Sequence, residues 1–255
     1  MLIDTHTHLY SDEFDSDRNE MIQRAIENGV EQFYIPAIDS SYTQRMLDLE
    51  RDFPDRMHLM MGLHPTSVKP ETYEDELRRV KEWLDKRKFS AVGEIGIDLY
   101  WDQSTLKEQQ IVFKTQMEWA KEKELPIVIH CRNSFDEIFE VLEEVNDEKL
   151  YGIFHCFTGT HEQAKRAIDF GMKLGIGGVV TFKNGKIDQF LHEIPLEHLV
   201  LETDSPYLAP VPYRGKRNES AYIVNVAKKL SKIYGLTEEE IAEATSQNAL
   251  DVFEK

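Results

Sequence analysis

Short apolar runs alternate with amphipathic segments along the whole chain, and this rhythm limits the fold more than any other feature. The helix-like segments include 20–28, 73–85, 105–123 and 135–145. Strands that alternate evenly with helices predict a parallel sheet buried on both faces. Over a chain of this length we expect the sheet to close into a (β/α)8 barrel, with a doubly wound open sheet as the alternative. The eight strand-like runs are MLIDTHTH, QFYIPAI, MHLMMGLH, FSAVGEIGI, PIVIHC, YGIFHCF, MKLGIGG and HLVLETD.

Local signals mark where several helices begin and end. Ser or Thr followed three residues later by Glu or Gln is typical of a helix N-terminus, and glycine is typical of the position after a helix. Two additional C-terminal helices, 219–234 and 238–252, are expected to cover the last strand. No linker-like segment interrupts the chain, so we interpret residues 1–255 as one α/β barrel domain. The predicted helix starts are Ser134, Thr160 and Thr237, and the predicted ends are Gly29, Gly171 and Gly235.

The composition excludes several classes of protein. Hydrophobic residues make up 41% of the chain and aromatic residues 10%, which allows a sizeable core and argues against disorder. No apolar stretch is long enough to cross a membrane and the N-terminal segment is too acidic for a signal peptide, so we expect a cytoplasmic protein. Two cysteines make no disulfide framework. The formal net charge of -17 disfavours a sequence-independent DNA coat protein, but not an enzyme that binds a few phosphates locally.

Polar side chains collect where the strand-like runs end, which is where a (β/α)8 barrel carries its catalytic residues. Five of the nine histidines fall there, together with Glu94 in the fourth run and Asp204 in the eighth. Neutral imidazoles and carboxylates are ligands for divalent metals, and this number exceeds the needs of one open catalytic ion. We therefore predict two divalent ions bridged by a carboxylate. The five histidines are His6, His8, His64, His130 and His155.

Strand alternation also assigns roles to neighbouring residues. Asp4 shares a face with the first two histidines one layer deeper, so we expect it to support a ligand. Cys131 and Cys156 each follow a predicted ligand by one position, and we expect them to face away and pack in the core. The glycine-rich segment 175–180 lacks the Lys-Ser/Thr ending of a phosphate-binding loop. It is interpreted as close backbone packing near the site.

The motifs taken together resemble the TatD-type metal-dependent deoxyribonucleases of the amidohydrolase superfamily. The match extends from residue 4 to about residue 220 and keeps the family's order. It departs at Ser220, where the family commonly has proline, and at LYWD, where a tyrosine pair is frequent. Both departures are expected at the substrate rim. The motifs are DTHTHL, GLHP, GEIGID, IHCR, HCFTG, GGVVTFKN, ETDSPYLAP and RGKRNE.

This resemblance implies a ligand set and a reaction. It implies hydrolysis of phosphodiesters in DNA, often from the 3′ end of a single strand, so the expected partner is single-stranded DNA or a frayed 3′ end. No obligate protein partner and no membrane are indicated. One metal would be held by His6, His8, Glu94 and Asp204, and the second by Glu94, His130 and His155, with Glu94 as the bridge.

Two-metal hydrolysis assigns further roles near the metals. Asp204 is expected to orient or deprotonate the attacking water, so Asp204, Glu94 and His64 form the predicted catalytic set. His64 and Arg132 are expected to contact the scissile phosphate, because charge-assisted donors stabilise the charge that develops there. The ions could be Mg²⁺, Mn²⁺ or Zn²⁺, and the number of histidines favours Zn²⁺ or Mn²⁺ in the purified protein.

Two groups of residues at the predicted barrel rim keep alternative interpretations. Arg214, Lys216 and Arg217 form a short basic segment that either binds a neighbouring phosphate or is a solvated turn. Tyr100 and Trp101 follow the fourth strand and either stack a nucleobase or cover the rim.

Alternative functions differ from this one at identifiable positions. Phosphotriesterase-like and dihydroorotase-like relatives bridge their metals with a carboxylated lysine, whereas this chain has Glu94. A phosphoesterase of the polymerase-and-histidinol-phosphatase type shares only the opening histidine pair. Two-metal hydrolysis of an amide or ester, such as deacylation of aminoacyl-tRNA, remains the alternative function. A purely structural zinc protein is disfavoured, because structural zinc sites are closed and rich in cysteine.

Overall fold

The computed structural model describes residues 1–255 and contains eight parallel strands. Their hydrogen-bonded order is β1-β2-β3 in one group and β4-β5-β6-β7-β8 in the other. The order follows the sequence, so every connection is a simple crossover to the next strand. The strands are β1 (Leu2–Asp4), β2 (Val30–Ile35), β3 (Met57–Leu59), β4 (Val92–Asp98), β5 (Ile127–Arg132), β6 (Gly152–Phe154), β7 (Met172–Ile176) and β8 (Leu199–Leu201).

Two seams join these groups into a closed barrel. Between β3 and β4, Met61 bridges to Val92, and the amide of Gly93 donates to the Met61 carbonyl at 3.0 Å. Between β8 and β1, the amide of Thr5 donates to the Leu201 carbonyl at 3.0 Å. The barrel prediction is therefore confirmed over the open doubly wound sheet.

Eight α-helices cover the barrel, and their arrangement departs from a regular repeat after β7. There the α-helix is replaced by short 3-10 turns at 178–181, 187–189 and 191–193. After β8 two helices follow, as predicted, and the second is held to the barrel by Asn248, whose side-chain amide donates to the Leu199 carbonyl at 2.8 Å. No helix is both long and apolar enough to cross a bilayer. The helices are α1 (Arg18–Glu27), α2 (Thr43–Asp52), α3 (Tyr73–Lys86), α4 (Leu106–Lys123), α5 (Phe135–Val145), α6 (His161–Asp169), α7 (Ile223–Tyr234) and α8 (Glu238–Phe253).

The predicted helix boundaries agree closely with the structure, except that the helix predicted at 219–234 begins with a 3-10 turn and is α-helical only from Ile223. Thr160 and Thr237 form complete capping boxes at the starts of α6 and α8. Ser134 precedes α5 as predicted, but its hydroxyl donates to the Ile97 carbonyl at 2.6 Å and makes no cap bond. The three predicted terminal glycines all have positive φ, which only glycine adopts without strain.

A layer of apolar side chains fills the barrel interior. It includes Val128, Ile153 and Val200, which are fully or almost fully buried. Because alternate strand residues share a face, the positions two residues further along these strands also point inward, at the carboxyl end of the barrel. His130 and His155 are two of these positions. The apolar layer therefore forms the floor of the polar cluster described next.

Candidate metal centre

A buried carboxylate, that of Glu94 in β4, lies at the centre of the polar cluster and is only 2% exposed. Its Oε1 atom is 2.7 Å from Nδ1 of His130 and 3.0 Å from Nε2 of His155. Nε2 of His64 lies 3.2 Å from the same oxygen. Three strand ends therefore bring an imidazole nitrogen to one side of this carboxylate.

The other oxygen of Glu94 faces strands β1 and β8. Its Oε2 atom is 3.1 Å from Nε2 of His6 and 3.7 Å from Nε2 of His8. Oδ1 of Asp204 completes this side, at 3.5 Å from Nε2 of His8 and 3.9 Å from Nε2 of His6. The structure thus brings all six sequence-predicted ligands together with His64, in two groups that share Glu94.

The backbone at the β1–β8 seam fixes this second group. Asp204 has a positive φ of 56°, and its amide donates to the His6 carbonyl at 2.9 Å. Asp4 lies below, where its carboxylate accepts hydrogen bonds from the amide of Thr203 at 2.9 Å and from its hydroxyl at 2.6 Å. Asp4 therefore supports the backbone that carries the cluster, and contacts no imidazole. Burial raises the pKa of Asp4 to about 7.

Three of the histidines have a hydrogen-bond partner on the ring nitrogen that faces away from Glu94, and Nδ1 of His155 lies near a carboxylate without forming a hydrogen bond. Such partners fix the ring orientation and the tautomer of a metal-binding histidine. The Tyr10 hydroxyl donates its only proton to the Pro36 carbonyl at 2.8 Å, so it can only accept a hydrogen bond from His8. Nδ1 of His8 therefore carries the ring proton, and Nε2 is unprotonated. The pairs are His8 with Tyr10 (2.8 Å), His64 with Thr66 (2.7 Å), His130 with Asp98 (2.9 Å) and His155 with Glu202 (3.3 Å).

His64 differs from the others in its tautomer. The backbone amide of Thr66 donates to Nδ1 of His64 at 3.1 Å. Nδ1 is therefore an acceptor, so the proton of the neutral ring lies on Nε2, which points at the cluster. A protonated nitrogen is a hydrogen-bond donor and offers no lone pair to a metal.

Sequence reasoning did not assign roles to Tyr10 and Asp98. The signal was present, because both residues extend an alternation already recognised, in steps of two from His8 and Glu94. Glu202, two residues before Asp204, follows β8 and lies with its Oε1 3.3 Å from Nδ1 of His155, a proximity between distant parts of the chain that no local pattern predicts.

The charges within the cluster favour an ionised centre. Burial alone would raise the pKa of Glu94, but the surrounding imidazoles, first that of His64, hold this pKa well below its usual range. Burial opposes protonation of His130, yet the carboxylates of Asp98 and Glu94 raise its pKa. The ionised carboxylates therefore favour the binding of positive charge in the buried cluster.

The donor set fits a divalent metal. Both ring nitrogens of His6 are buried without a hydrogen-bond partner. Unpaired buried polar atoms are costly, and Nε2 of His6 points at the carboxylates. The ligand atoms form three groups, and within each group all atoms lie within 4.8 Å of one another. The groups are His6 with His155 and Asp204, His6 with His8 and Glu94, and His64 with Glu94 and His130.

A cavity of about 920 Å³ opens above the cluster. Arg132 borders it, with its guanidinium 3.9 Å from the ring centre of Tyr100. Arg214 and Lys216 border it at another part of the rim. Arg217 does not, because its guanidinium turns away to the carboxylate of Asp17 at 2.7 Å. The basic segment predicted from the sequence therefore offers two of its three cations to the cavity.

The structure also bears on three other expectations from the sequence. Cys131 packs against the main apolar core, as expected, and also borders the cavity. Cys156 is partly exposed and borders the cavity, so the expectation that it faces away was wrong. Cys156 lies beyond the end of β6 with a φ of 46°, where strand alternation no longer applies. Ser220 is buried, with its hydroxyl 3.3 Å from that of Thr7, so it packs against the segment after β1 and does not border the cavity. The close packing expected of the glycine-rich segment is confirmed, since a Cβ on Gly175 would lie 2.2 Å from Oε2 of Glu202.

A closed parallel barrel that gathers histidines and carboxylates at its carboxyl end defines a class of metal-dependent barrel enzymes. The family model described as "TatD related DNase" matches residues 3–254. The uncharacterized metal-dependent hydrolase YabD of Bacillus subtilis is 39% identical over 254 residues, which cover 99% of each protein. The chain therefore belongs to the TatD-related DNase family and is a metal-dependent hydrolase.

Solved structures agree with this assignment. The crystal structure of YjjV, a TatD homologue from Escherichia coli K12, has a TM-score of 0.93 at 30% identity and covers 100% of this chain and 98% of that one. A hydrolase of the TatD family from Entamoeba histolytica shares the fold, with a TM-score of 0.85 at 23% identity over 99% of this chain and 97% of its own.

Proposed function

We propose that the chain hydrolyses phosphodiester bonds in DNA, at single-stranded or frayed 3′ ends. The observation that carries this proposal is the carboxylate of Glu94, which is shared by two groups of ligand atoms beneath an open cavity with basic residues at its rim. A carboxylate shared in this way can hold two ions close together, as two-metal hydrolysis needs.

The proposed ligands follow from the two groups. One ion would be bound by His6, His8, Glu94 and Asp204, and the second by Glu94, His130 and His155. Divalent ions in such a centre supply Lewis acidity to a phosphoryl oxygen and acidify a water molecule.

Asp204 is the proposed proton acceptor for the attacking water. Its side chain is 14% exposed and borders the cavity, so it can reach both the cluster and the solvent. Burial would raise its pKa, but the neighbouring imidazoles, first that of His8, lower it, and the carboxylate is therefore ionised. An ionised carboxylate at this position can orient a water and accept its proton.

His64 and the rim arginines are the proposed phosphate contacts. The Nε2 proton of His64 points at the cluster and can donate to a non-bridging oxygen of the scissile phosphate. Arg132 and Arg214 can pair with phosphate oxygens at the cavity rim. Because the whole chain has a formal net charge of -17, binding would depend on these few local contacts, and its salt dependence would be shallow.

The test is a metal-free preparation reloaded separately with Mg²⁺, Mn²⁺ and Zn²⁺. Each form is assayed on 3′- and 5′-labelled single-stranded oligonucleotides, with an aminoacyl ester as the comparison substrate. We expect metal-dependent release of nucleotides from the 3′ end, and its loss in Asp204→Asn. Nucleotide release at the wild-type rate by Asp204→Asn with metal bound would refute the mechanism, and hydrolysis of the ester alone would refute the DNA substrate.

A further inference from the structure

The reaction proposed above gives no role to the two aromatic side chains that follow β4. Tyr100 is 54% exposed and Trp101 is 68% exposed, and Trp101 borders the cavity above the cluster. Large aromatic side chains have much to gain from a partner on their faces. Their exposure beside the cavity indicates a surface for a ligand.

These aromatic side chains lie on a loop whose backbone is held in place. The amides of Tyr100 and Trp101 both donate to Oδ1 of Asp98, at 2.9 Å and 3.2 Å. Gln109 fixes the end of β4, because it accepts from the amide of Asp98 at 2.8 Å and donates to its carbonyl at 3.2 Å. The aromatic surface is therefore positioned before any ligand arrives, which lowers the entropy cost of binding.

The same carboxylate connects this surface to the metal centre. While Oδ1 of Asp98 holds the loop, its Oδ2 accepts a hydrogen bond from Nε2 of His130 at 2.9 Å. One short side chain thus connects the backbone that carries the aromatic residues to His130 in the cluster. A ligand with a phosphate at the cluster and a planar group at a fixed distance from it fits this arrangement.

Arg132 adds a positive charge at the aromatic surface. Its guanidinium lies 3.9 Å from the ring centre of Tyr100 and 5.4 Å from that of Trp101. The two rings are perpendicular, with centres 4.9 Å apart, so they present an edge and a face. Arginine beside aromatic rings is a combination that binds bases and backbone phosphates of single-stranded nucleic acids.

We infer that Trp101, supported by Tyr100 and Arg132, stacks an unpaired nucleobase adjacent to the phosphate at the metal centre. This inference rests on the proposed hydrolysis of DNA and adds that an unpaired base of the DNA strand is the feature recognised. A base inside a duplex has both faces covered by its neighbours, so only an unpaired base can use this surface. The stacking surface would therefore be the source of a preference for single-stranded or frayed ends.

The opposite wall of the cavity has a different character. β4 and β8 are four places apart in the ring of eight strands, so the residues that follow β8 lie across the barrel mouth from Trp101. Tyr207 and Leu208 border the cavity there, together with Arg214 and Lys216. The two cations, Arg214 and Lys216, would contact the phosphate backbone of the DNA strand where it leaves the cavity on that side.

The test compares Trp101→Ala and Trp101→Phe with the wild-type holoenzyme. The control is Ile111→Ala, which removes an apolar side chain that is 53% exposed on α4 and is not part of the cavity lining. Two probes are used, a short oligothymidylate and the same oligonucleotide with abasic sites at its 3′ end. Affinity is measured with phosphorothioate linkages that resist cleavage, and kcat/KM with ordinary linkages.

Loss of one stacked base corresponds to a decrease in affinity of about 5- to 150-fold. We expect a loss of about 10-fold in Trp101→Ala for the oligothymidylate, no loss for the abasic probe, and little change in Trp101→Phe. Ile111→Ala should match the wild type on both probes. If Trp101→Ala lost affinity equally for both probes, or for neither while the wild type remained active, the stacking role would be wrong and the proposed hydrolysis would stand. If the wild type neither bound nor cleaved either probe, the proposed function and the stacking role would both be wrong.

Discussion

Oδ2 of Asp98 lies 2.9 Å from Nε2 of His130 and accepts a hydrogen bond from it, which leaves Nδ1 of His130 directed at Glu94. We expect Asp98→Asn to weaken metal binding by about 10- to 100-fold, because the amide can donate to Nε2 and move the ring proton to Nδ1. Metal affinity is measured by competition with a chelating dye. The matched control is Asp102→Asn, in the same loop, whose carboxylate contacts only Ser104 and backbone nearby. Unchanged affinity in Asp98→Asn would contradict the orienting role.

Glu94 lies between both groups of ligand atoms, so its replacement affects both proposed ions. We expect metal to stabilise the wild type by about 2.7 kcal/mol at a concentration of one hundred times Kd, and Glu94→Gln to lose this stabilisation and the activity. The readout is the shift in Tm on addition of Mn²⁺ or Zn²⁺ to metal-free protein. His192→Gln is the control, since His192 is 55% exposed and outside the cluster. A full metal-dependent shift in Glu94→Gln would be incompatible with a bridging carboxylate.

The tautomer of His64 predicts that this residue acts on substrate and not on metal. We expect His64→Ala to lower kcat by about 100-fold, the effect of removing one donor to developing charge, while the metal content stays unchanged. His64→Gln, which keeps an amide donor, should recover part of the activity. Elemental analysis beside steady-state kinetics separates the two roles, and loss of one metal ion from His64→Ala would make His64 a ligand.

Asp17 and Arg217 form a pair between the loop after β8 and the start of α1, and this pair predicts a pH dependence of stability. The hydrogen bonds from Arg217 lower the pKa of Asp17 from 3.8 to about 2. Because the folded state binds this proton less tightly than the unfolded state, the pair stabilises the fold above about pH 4. That stabilisation is lost as the pH falls toward 2.

Asp17→Asn should therefore lower the free energy of unfolding by about 1 kcal/mol at neutral pH, a modest value because the pair is partly exposed. The difference between wild type and variant should shrink as the pH is lowered from 4 to 2. Urea denaturation across this range provides the measurement, with Asp55→Asn as an exposed control that has no ion pair. A pH-independent difference would show that the charge of Asp17 contributes nothing.

The sequence predicted the barrel and the cluster because both depend on regularities of strands. Alternation places His6 and His8 on one face, and the barrel rule collects strand ends at one mouth. The same reasoning, continued in steps of two, would have reached Tyr10 from His8 and Asp98 from Glu94. His6 and His8 keep the alternation although they follow the end of β1, whereas Cys156 has a φ of 46°, outside the extended range, and the inference from alternation was wrong there.

Long-range pairing accounts for the other differences. The orientation of Arg217 is decided by Asp17, which is 200 residues earlier in the chain, so no local pattern around the basic segment could reveal it. The region of 3-10 turns after β7 also makes a long-range contact. In that region Gly178 packs so closely on the loop after β8 that a Cβ would lie 2.0 Å from the Leu208 carbonyl.

The seam between the first and last strands has a consequence for biosynthesis. Translation proceeds from β1 to β8, so His6 and His8 are made before Glu94, and all three are made before Asp204. The barrel is also open until the amide of Thr5 has a carbonyl on β8 to bind. The histidine pair of the proposed metal centre is therefore synthesised long before its partners, and the complete cluster forms only once β8 and Asp204 have been made.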